Sequence, residues 1–415
     1  MNNETLQIFW TLICSFLVVI MQAGLAMVAT GFTRAKNAGH TMAMNMMIVF
    51  IGSIGYWSVG YAFQTGTGAF FLSGVPANTL SIFLFQSMLL TIAAAIPVGA
   101  MAERWAFRPF IGYGFFMAMF TYPLYAHWVW NGGWLAQLGR NFGLGHGVLD
   151  FAGSSVVHMA GGVSALAGAM VLGPRMGKYK GDGTPGAIPG HHIPMAIAGC
   201  MMLFFGWFGF NSGQATGGDF QAGLIAVNTL LAAAGGTFSA LCYMWFFYGK
   251  PDLSLSANGL LGGLVAISAP CAFVSPFCAV IIGLCAGTLC CASVFCVERI
   301  CKIDDPAGAI SVHGACGAWG LISLGLFANG MYGNGLNSVP GTVKGLFYGG
   351  ASQLAAQCCG VLVCFLFVFS VMFLFFKALD LITPLRVQEE VEFEGLDQNE
   401  VSVVAYPDFN TKSRR

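Results

Sequence analysis

The segments Asp150-Phe-Ala-Gly-Ser-Ser-Val-Val-His158 and Asp305-Pro-Ala-Gly-Ala-Ile-Ser-Val-His313 share the nine-residue pattern D-x-A-G-x-x-x-V-H. Each copy opens an apolar stretch rich in Gly and Ala. A helix rises ~1.5 Å per residue, so a His eight positions after its Asp lies ~12 Å further along, near the middle of a hydrocarbon core of ~30 Å. Ionisable side chains at that depth are rare and usually functional. His158 and His313 are therefore the first candidate site.

The composition is that of a protein that crosses a membrane many times. Of the 415 residues, 57% are hydrophobic and only 8% are charged, and apolar runs recur along nearly the whole chain. A run of about 20 apolar residues is long enough to span a bilayer as a helix. The sequence predicts an all-α polytopic membrane protein with eleven transmembrane helices, at about 7–32, 40–63, 80–100, 109–130, 151–173, 193–211, 221–247, 255–271, 276–297, 307–328 and 347–377.

The two copies of the motif fall on the fifth and tenth predicted spans, so their helices should run in opposite directions through the bilayer. This is typical of a five-plus-five inverted repeat, with halves at about 7–173 and 193–328, followed by a long eleventh helix at about 347–377. Such folds place the substrate path near the midplane, between the halves. We expect a membrane domain at 1–386 and a cytosolic tail at 387–415.

Basic residues predict the orientation. Most Lys and Arg residues fall in alternate loops or in the tail, whereas the other loops hold only Arg140 and Lys344. Loops rich in Lys and Arg stay in the cytoplasm. The sequence therefore predicts a protein of the cell (plasma or inner) membrane with its N-terminus outside and its C-terminus in the cytoplasm. The acidic tail after Arg386 is expected to be an interaction or regulatory segment.

Several classes of function lack support in the sequence. The net charge is zero, and there is no long basic run and no cysteine spacing typical of zinc sites. We therefore expect no nucleic-acid partner, no metal and no cofactor. The two histidines have no nearby nucleophile in sequence, which argues against an enzyme. For Asp150 and Asp305 we favour a structural role as helix caps; a cation-facing role for Asp150 is the alternative.

Further motifs resemble the family of ammonium transporters, methylammonium permeases and Rhesus proteins over nearly the whole chain. In chain order these motifs are Gly31-Phe-Thr-Arg-Ala-Lys-Asn37, Phe85-Gln86 with Ala102-Glu103-Arg104, Ala126-His-Trp-Val-Trp130, Asp150 to His158, Gly206-Trp-Phe-Gly-Phe-Asn211, Asp304-Asp305 to His313, and Glu394-Gly-Leu-Asp397 with Ala405-Tyr406. The resemblance implies recruitment of ammonium at an outer vestibule, deprotonation, and passage of ammonia with a relayed proton through a hydrophobic pore. It also implies a homotrimer with one pore per subunit.

The resemblance assigns roles to individual residues. His158 and His313 are the twin histidines that line the pore and carry the proton. Trp130 matches the tryptophan that attracts ammonium at the outer vestibule; an interfacial aromatic anchor is the alternative role. Phe210 matches the inner phenylalanine of a two-ring gate, and Phe85 lies beside that gate.

This chain departs from the family pattern at two positions of the vestibule. The partner phenylalanine of the gate aligns with Leu89, and a serine common in bacterial relatives aligns with Gln214. Losing an aromatic face should weaken cation binding, which an amide oxygen at Gln214 would partly offset. A second hypothesis is therefore an ammonium sensor with the transporter fold, which passes little ammonium and signals through its C-terminal tail. The expected partner at the C-terminus is a PII-type regulatory protein or, for the sensor, a fused signalling domain.

Overall fold

The computed structural model of the protein describes residues 3–215 and 221–407, in which the main elements are helices. In chain order they are α1 (Asn3–Phe32), α2 (Ala35–Thr65), α3 (Ala77–Met101), α4 (Phe107–Phe116), α5 (Tyr122–Trp130), α6 (Ser154–Leu172), α7 (Ile193–Ser212), α8 (Ala222–Tyr248), α9 (Leu253–Ile267), α10 (Pro276–Ile300), α11 (Ile310–Phe327), α12 (Ala351–Ile382), α13 (Glu389–Glu394) and α14 (Leu396–Val401). A π-helical turn, Met117–Thr121, joins α4 to α5.

Within the described ranges, nine of these helices are long and apolar enough to cross a membrane. Two further predicted spans also fold as helices, the joined pair α4 and α5 and the shorter α9. The all-helical membrane class is thus confirmed, whereas the count of eleven stays a prediction. The last long helix is displaced from its predicted bounds of 347–377, because residues 346–348 form a separate short turn and the helix continues to Ile382.

The helices that carry the two motifs cross at four small or flexible positions. A Cβ atom at Gly162 of α6 would lie 2.2 Å from the backbone nitrogen of Gly314, and one at Gly317 of α11 would lie 2.9 Å from that of Met159. Met159 thus meets Gly317 and Gly162 meets Gly314, so the residue numbers rise along α6 as they fall along α11. The two helices are therefore antiparallel, as predicted. The contacts are also reciprocal, because each glycine lies four residues after one histidine and meets the residue that follows the other. This is local two-fold symmetry centred on the crossing.

Helices α1 and α7 form a second antiparallel crossing with the same construction. A Cβ atom at Gly24 would lie 2.8 Å from the carbonyl oxygen of Gly199, and one at Gly199 would lie 2.6 Å from the carbonyl oxygen of Gly24. Small residues let the backbones of membrane helices approach this closely. The two crossings bring the first and second halves of the chain together around the histidines.

Buried ion pairs tie together the helix ends on the side of the C-terminal tail, which is called the inner side; the opposite side is called the outer side. Arg175, after α6, forms ion pairs with Glu103 at 2.7 Å and with Asp304 at 2.8 Å, and all three side chains are almost completely buried. Glu103 also forms an ion pair with Arg34. Burial alone would raise the pKa of Asp304, but the hydrogen bond from Arg175 and the charges of Arg104 and Arg175 hold it well below its usual range. The network joins the loops after α1, α3, α6 and α10.

The tail folds back onto this inner face. The carboxylate of Asp397 accepts hydrogen bonds from the backbone N–H groups of Gly39, at 3.0 Å, and His40, at 2.8 Å, in the first turns of α2. Glu400 accepts from the N–H group of Phe107, the first residue of α4, at 2.7 Å. Carboxylates at helix N-termini satisfy free N–H groups and interact favourably with the helix dipole. Two tail carboxylates therefore complete the ends of two membrane helices.

Candidate functional site

His158 and His313 meet inside the protein. His158 lies in the π-helical turn Ser154–Met159 and His313 in the equivalent turn Ile310–Ala315. Their Nδ1 atoms are 3.2 Å apart, and the ring centroids are 5.2 Å apart at an interplanar angle of 20°. His158 is fully buried and His313 is 6% exposed. A hydrogen bond between two Nδ1 atoms requires one ring to donate and the other to accept, which two neutral imidazoles do without a buried charge.

The other ring nitrogen of His158 has no hydrogen-bond partner among the described residues. Buried polar atoms without partners are uncommon in folded proteins. The Nε2 atom of His158 is therefore available to a small ligand that donates or accepts a hydrogen bond at this depth.

Asp150 and Asp305 position the turns that carry the histidines. The two oxygens of Asp150 accept hydrogen bonds of 2.7–3.0 Å from four consecutive backbone N–H groups, at residues 153–156, and from the Ser155 hydroxyl. Asp305 accepts from the N–H groups of Ala309, at 2.9 Å, and Ile310, at 2.7 Å. Five donors fill the acceptor sites of the Asp150 carboxylate. Asp150 therefore has no free oxygen with which to hold a cation.

An outer cavity of about 620 Å³ lies beyond the histidines and is lined by Trp130 and Gln214 together with Gln86. The indole of Trp130 donates to the carbonyl oxygen of Asp150 at 2.6 Å, which fixes its ring at the wall of the cavity. The amide nitrogen of Gln214 is buried and has no partner among the described residues. Trp130 and Gln214, both predicted to lie at a vestibule, thus line one cavity.

Aromatic side chains separate this cavity from the histidines. The ring of Phe210 is 5.3 Å from that of His158, and both Phe210 and Phe85 are almost completely buried. Phe85 packs against Gly213, next to Gln214, where a Cβ atom would lie 2.4 Å from its ring. Leu89 is fully buried and is not part of the cavity lining. Leu89 therefore belongs to the closed segment, the buried stretch around Phe85 and Phe210 that separates the cavity from the histidines, and not to the wall of the cavity. The expected loss of an aromatic face at Leu89 concerns this closed segment.

Trp207 is a residue of this site to which the sequence analysis gave no role. Its ring stacks on His158 with centroids 5.0 Å apart and an interplanar angle of 18°. Its Nε1–H group donates to the hydroxyl of Ser268 at 3.0 Å, which holds the indole in place. Trp207 lies within the quoted motif that ends in Asn211, three residues before Phe210, so the spacing on one face of α7 was the available signal.

On the inner side, a small cavity of about 30 Å³ touches His313, and a larger one of about 320 Å³ lies beyond it. Asn258 and Ala307 line both cavities. The side-chain oxygens of Asn45, Asn258 and Ser311 are buried and have no partner in the described part of the chain. Burial raises the pKa of Asp305, which lines the inner cavity, to about 6, although the hydrogen bonds from the N–H groups of Ile310 and Ala309 lower that pKa. The histidine pair thus lies between an outer and an inner cavity.

The chain is similar to known proteins over nearly its whole length. The model of the family described as Ammonium Transporter Family matches residues 9–406. The chain is 43% identical to the ammonium transporter Amt2 of Archaeoglobus fulgidus, covering 96% of this chain and 88% of the relative. It is 36% identical to the ammonium transporter of Bacillus subtilis, covering 95% and 97% of the two chains.

Two solved structures have the same fold over most of their length. One described as a Sensor Amt Protein has a TM-score of 0.88 and 34% identity, with 97% of this chain and 100% of that chain covered. Mep2 of Candida albicans has a TM-score of 0.82 and 27% identity, with 92% of this chain and 86% of that chain covered. The chain therefore belongs to the ammonium transporter family of multi-pass membrane proteins.

Proposed function

We propose that the protein transports ammonium along a path from the outer cavity, past Phe85 and Phe210, along His158 and His313, to the inner cavity. The observation that carries this proposal is the buried Nδ1–Nδ1 contact of 3.2 Å between the histidines, with a cavity on either side. Family membership supports ammonium as the substrate.

A bare ammonium ion would lose its hydration in the closed segment, at a cost of several kcal/mol unless it is compensated. Deprotonation removes that cost, because ammonia is neutral and crosses the apolar segment as a small hydrogen-bonding molecule. The unpartnered Nε2 atom of His158 accepts the proton, and His158 releases its Nδ1 proton across the Nδ1–Nδ1 contact to His313. His313 then releases its Nε2 proton to the inner cavity, where it recombines with ammonia to form ammonium. Each imidazole accepts a proton on one nitrogen and releases one from the other, so the relay leaves no lasting buried charge.

Recruitment takes place at the outer cavity. Trp130 presents an aromatic face, to which a cation binds with roughly 0.5–2 kcal/mol. Gln214 adds an amide in the same cavity, and its oxygen is the group that accepts from ammonium. Asp150 acts as a cap that holds the start of α6, since its carboxylate is saturated by N–H and O–H donors. Asp305 does the same for α11.

The proposed assembly is a homotrimer in the cell membrane, with one path in each subunit, the N-terminus outside and the C-terminal tail in the cytoplasm. Family membership supports the trimer, and the distribution of Lys and Arg supports the orientation. The proposed regulatory partner of the tail, from residue 387 onward, is a PII-type protein.

An ammonium sensor is the second candidate function. Two observations favour it: the tail carboxylates Asp397 and Glu400 bind directly to the first turns of membrane helices, and one similar solved structure is described as a Sensor Amt Protein. A shift of α2 or α4 on ammonium binding would change these hydrogen bonds and so alter how the tail is held.

Current measurements on the reconstituted protein after an ammonium jump, repeated with potassium, test the transport proposal. We expect an ammonium current in wild type, no potassium current, and loss of the ammonium current in His158→Ala and in His313→Ala. Both variants should keep the wild-type oligomer in gel filtration. An unchanged ammonium current in either folded variant would refute the proton relay.

Hydrogen exchange of the tail separates the two functions. A sensor should show ammonium-dependent protection of the tail helices α13 and α14, with little current, and His158→Ala serves as the control. A large wild-type current without a tail response would eliminate the sensor hypothesis.

A further inference from the structure

A third large cavity, beside the α6–α11 crossing, shares no lining residue with the cavities of the transport path. Its volume is about 480 Å³, and it is enclosed mainly by faces of α6, α11 and α12. The lining residues recur at helical spacing on each wall: Met159, Gly162, Val163 and Leu166 on α6, Gly314, Ala315, Ala318 and Ile322 on α11, and Cys358, Val361, Leu362 and Phe365 on α12. Residues at i, i+3, i+4 and i+7 share one face of a helix. Three continuous apolar faces therefore converge on one groove.

The floor of the groove is made of residues with little or no side chain. A Cβ atom at Gly314 would lie 3.6 Å from the carbonyl carbon of Gly162, which is an ordinary van der Waals contact, so a methyl group there would displace no neighbour. Gly162, Ala315 and Ala318 complete this floor. Leu362, which is 57% exposed, and Phe365, which is 40% exposed, stand at the rim.

The depth of the groove decides what surrounds it. Met159 and Gly314 each directly follow one of the two histidines, so the groove lies at the level of the pair, near the middle of the membrane. Its rim continues along α12 into the exposed apolar side chains of Leu366 and Leu374, which face the hydrocarbon of the bilayer. The groove is thus an inward extension of the lipid-facing surface.

Its dimensions fit one lipid chain. On α11 the lining extends over thirteen residues, from Ile310 to Ile322, whose twelve steps of ~1.5 Å span ~18 Å. This length exceeds the ~15 Å of one leaflet, half of a hydrocarbon core of ~30 Å, so a chain that fills the groove extends past the middle of the membrane. An apolar cavity of ~150 Å³ holds one benzene molecule, with its six carbon atoms, so about 480 Å³ accommodates roughly eighteen carbon atoms.

We propose that this groove, at the crossing of the two histidine-bearing helices, is a binding site for one acyl chain of a membrane phospholipid. The chain packs on the backbone at Gly162 and Gly314, immediately beside the histidine pair but outside the transport path. An empty groove would leave its apolar walls without contacts. The bound chain therefore stabilises the α6–α11 crossing.

Photolabelling of the full chain in bilayers tests this proposal. The probe is a phosphatidylcholine with a photoactivatable diazirine near the end of a chain of about eighteen carbon atoms. Adducts are mapped by mass spectrometry on the α11 and α12 walls and, as a reference, on α8 around Ala234, which is exposed. We expect the groove to be labelled more strongly than the reference face.

Ala318→Leu fills the groove, and Ala234→Leu is the matched control on the reference face. Ala318→Leu should reduce the groove adducts about fivefold, corresponding to roughly 1 kcal/mol of lost chain binding, without a change on α8. The control should leave the groove adducts unchanged. Ala315→Leu repeats the test at a second lining position, and variants that keep the wild-type oligomer in gel filtration are compared.

Two results would overturn the proposal. Groove adducts that equal those on α8, and that persist in both filled variants, would indicate contact with bulk lipid only. A groove that is unlabelled in the oligomer but labelled in separated subunits would indicate that a second copy of the chain covers it.

Discussion

Replacement of Trp130 by Leu tests how the outer cavity recruits ammonium. The indole lines the cavity and is held by its hydrogen bond to the carbonyl oxygen of Asp150. That carbonyl oxygen also accepts from the amide of Asn337 at 3.2 Å, so it keeps a partner in the variant. The substitution should therefore remove the aromatic face with little damage to the loop that starts α6.

The expected loss follows from the partial exposure of the ring. Cation–π contacts provide ~0.5–1 kcal/mol at exposed sites and ~2 kcal/mol when desolvated. Trp130 is partly buried in an open cavity, so we expect ~1–1.4 kcal/mol, which corresponds to a roughly fivefold to tenfold weaker apparent affinity. Trp130→Phe keeps an aromatic face but loses the hydrogen bond, and should lie between wild type and Leu.

The assay is the ammonium dependence of the current in reconstituted vesicles. Trp134→Leu is the matched control, because Trp134 is 43% exposed and does not line the cavity. Its half-saturating ammonium concentration should equal that of wild type. If Trp130→Leu shifts that concentration no more than Trp134→Leu does, Trp130 is an interfacial anchor and the recruitment argument is wrong.

Three further predictions concern the closed segment, the ion network and the tail. Leu89→Phe should lower the maximal current, because a larger ring enters a fully buried position one helical turn beyond the cavity residue Gln86; an unchanged maximum in a variant with normal thermal stability would argue against a gate. Asp304→Asn should destabilise the protein by about 3 kcal/mol in thermal unfolding at pH 7, because it breaks a buried ion pair. Because the pKa of Asp304 is lowered in the folded protein, its ion pair contributes fully to stability above the unfolded pKa of ~3.9, and this contribution is lost as the pH falls further. A difference in unfolding free energy between Asp304→Asn and wild type that grew on acidification would contradict this prediction. Asp397→Asn should weaken the cap on α2 by ~0.5–1 kcal/mol and speed hydrogen exchange in α14, whereas the control Glu389→Gln, at an exposed position, should do neither. Equal exchange rates in the two variants would show that the Asp397 cap does not hold the tail on α2.

The histidine pair could be predicted from sequence because the information is local. The spacing of eight residues from Asp to His, together with the rise of a helix, sets the depth of each ring. The repetition of the motif on helices of opposite direction then brings His158 and His313 to one level. Apolar runs likewise locate the spans, since the hydrocarbon thickness fixes the length of a crossing helix.

Whether two side chains touch across the chain depends on how the halves pack. Leu89 and Gln214 aligned with two vestibule positions, yet Gln214 lines the cavity and Leu89 lies in the closed segment. Leu89 lies three residues after the cavity residue Gln86, on the same face of α3, so its depth along the helix decides this. How far the cavity reaches along α3 depends on the packing of the other helices. Trp207 was missed for a related reason, because a stripe of aromatic residues on α7 is equally typical of plain core packing.

The sequence by itself determined the membrane class, the approximate spans, the inverted order of the halves and the depth of the histidines, because each follows from helix rise, apolar length or residue spacing. The tertiary structure alone decided that the two Nδ1 atoms face each other, that Asp397 reaches the first turn of α2, and that small residues leave a groove beside the crossing. These contacts join residues far apart in the chain. Their geometry is set by the close approach of helix backbones at glycines, which a pattern of residue types does not specify.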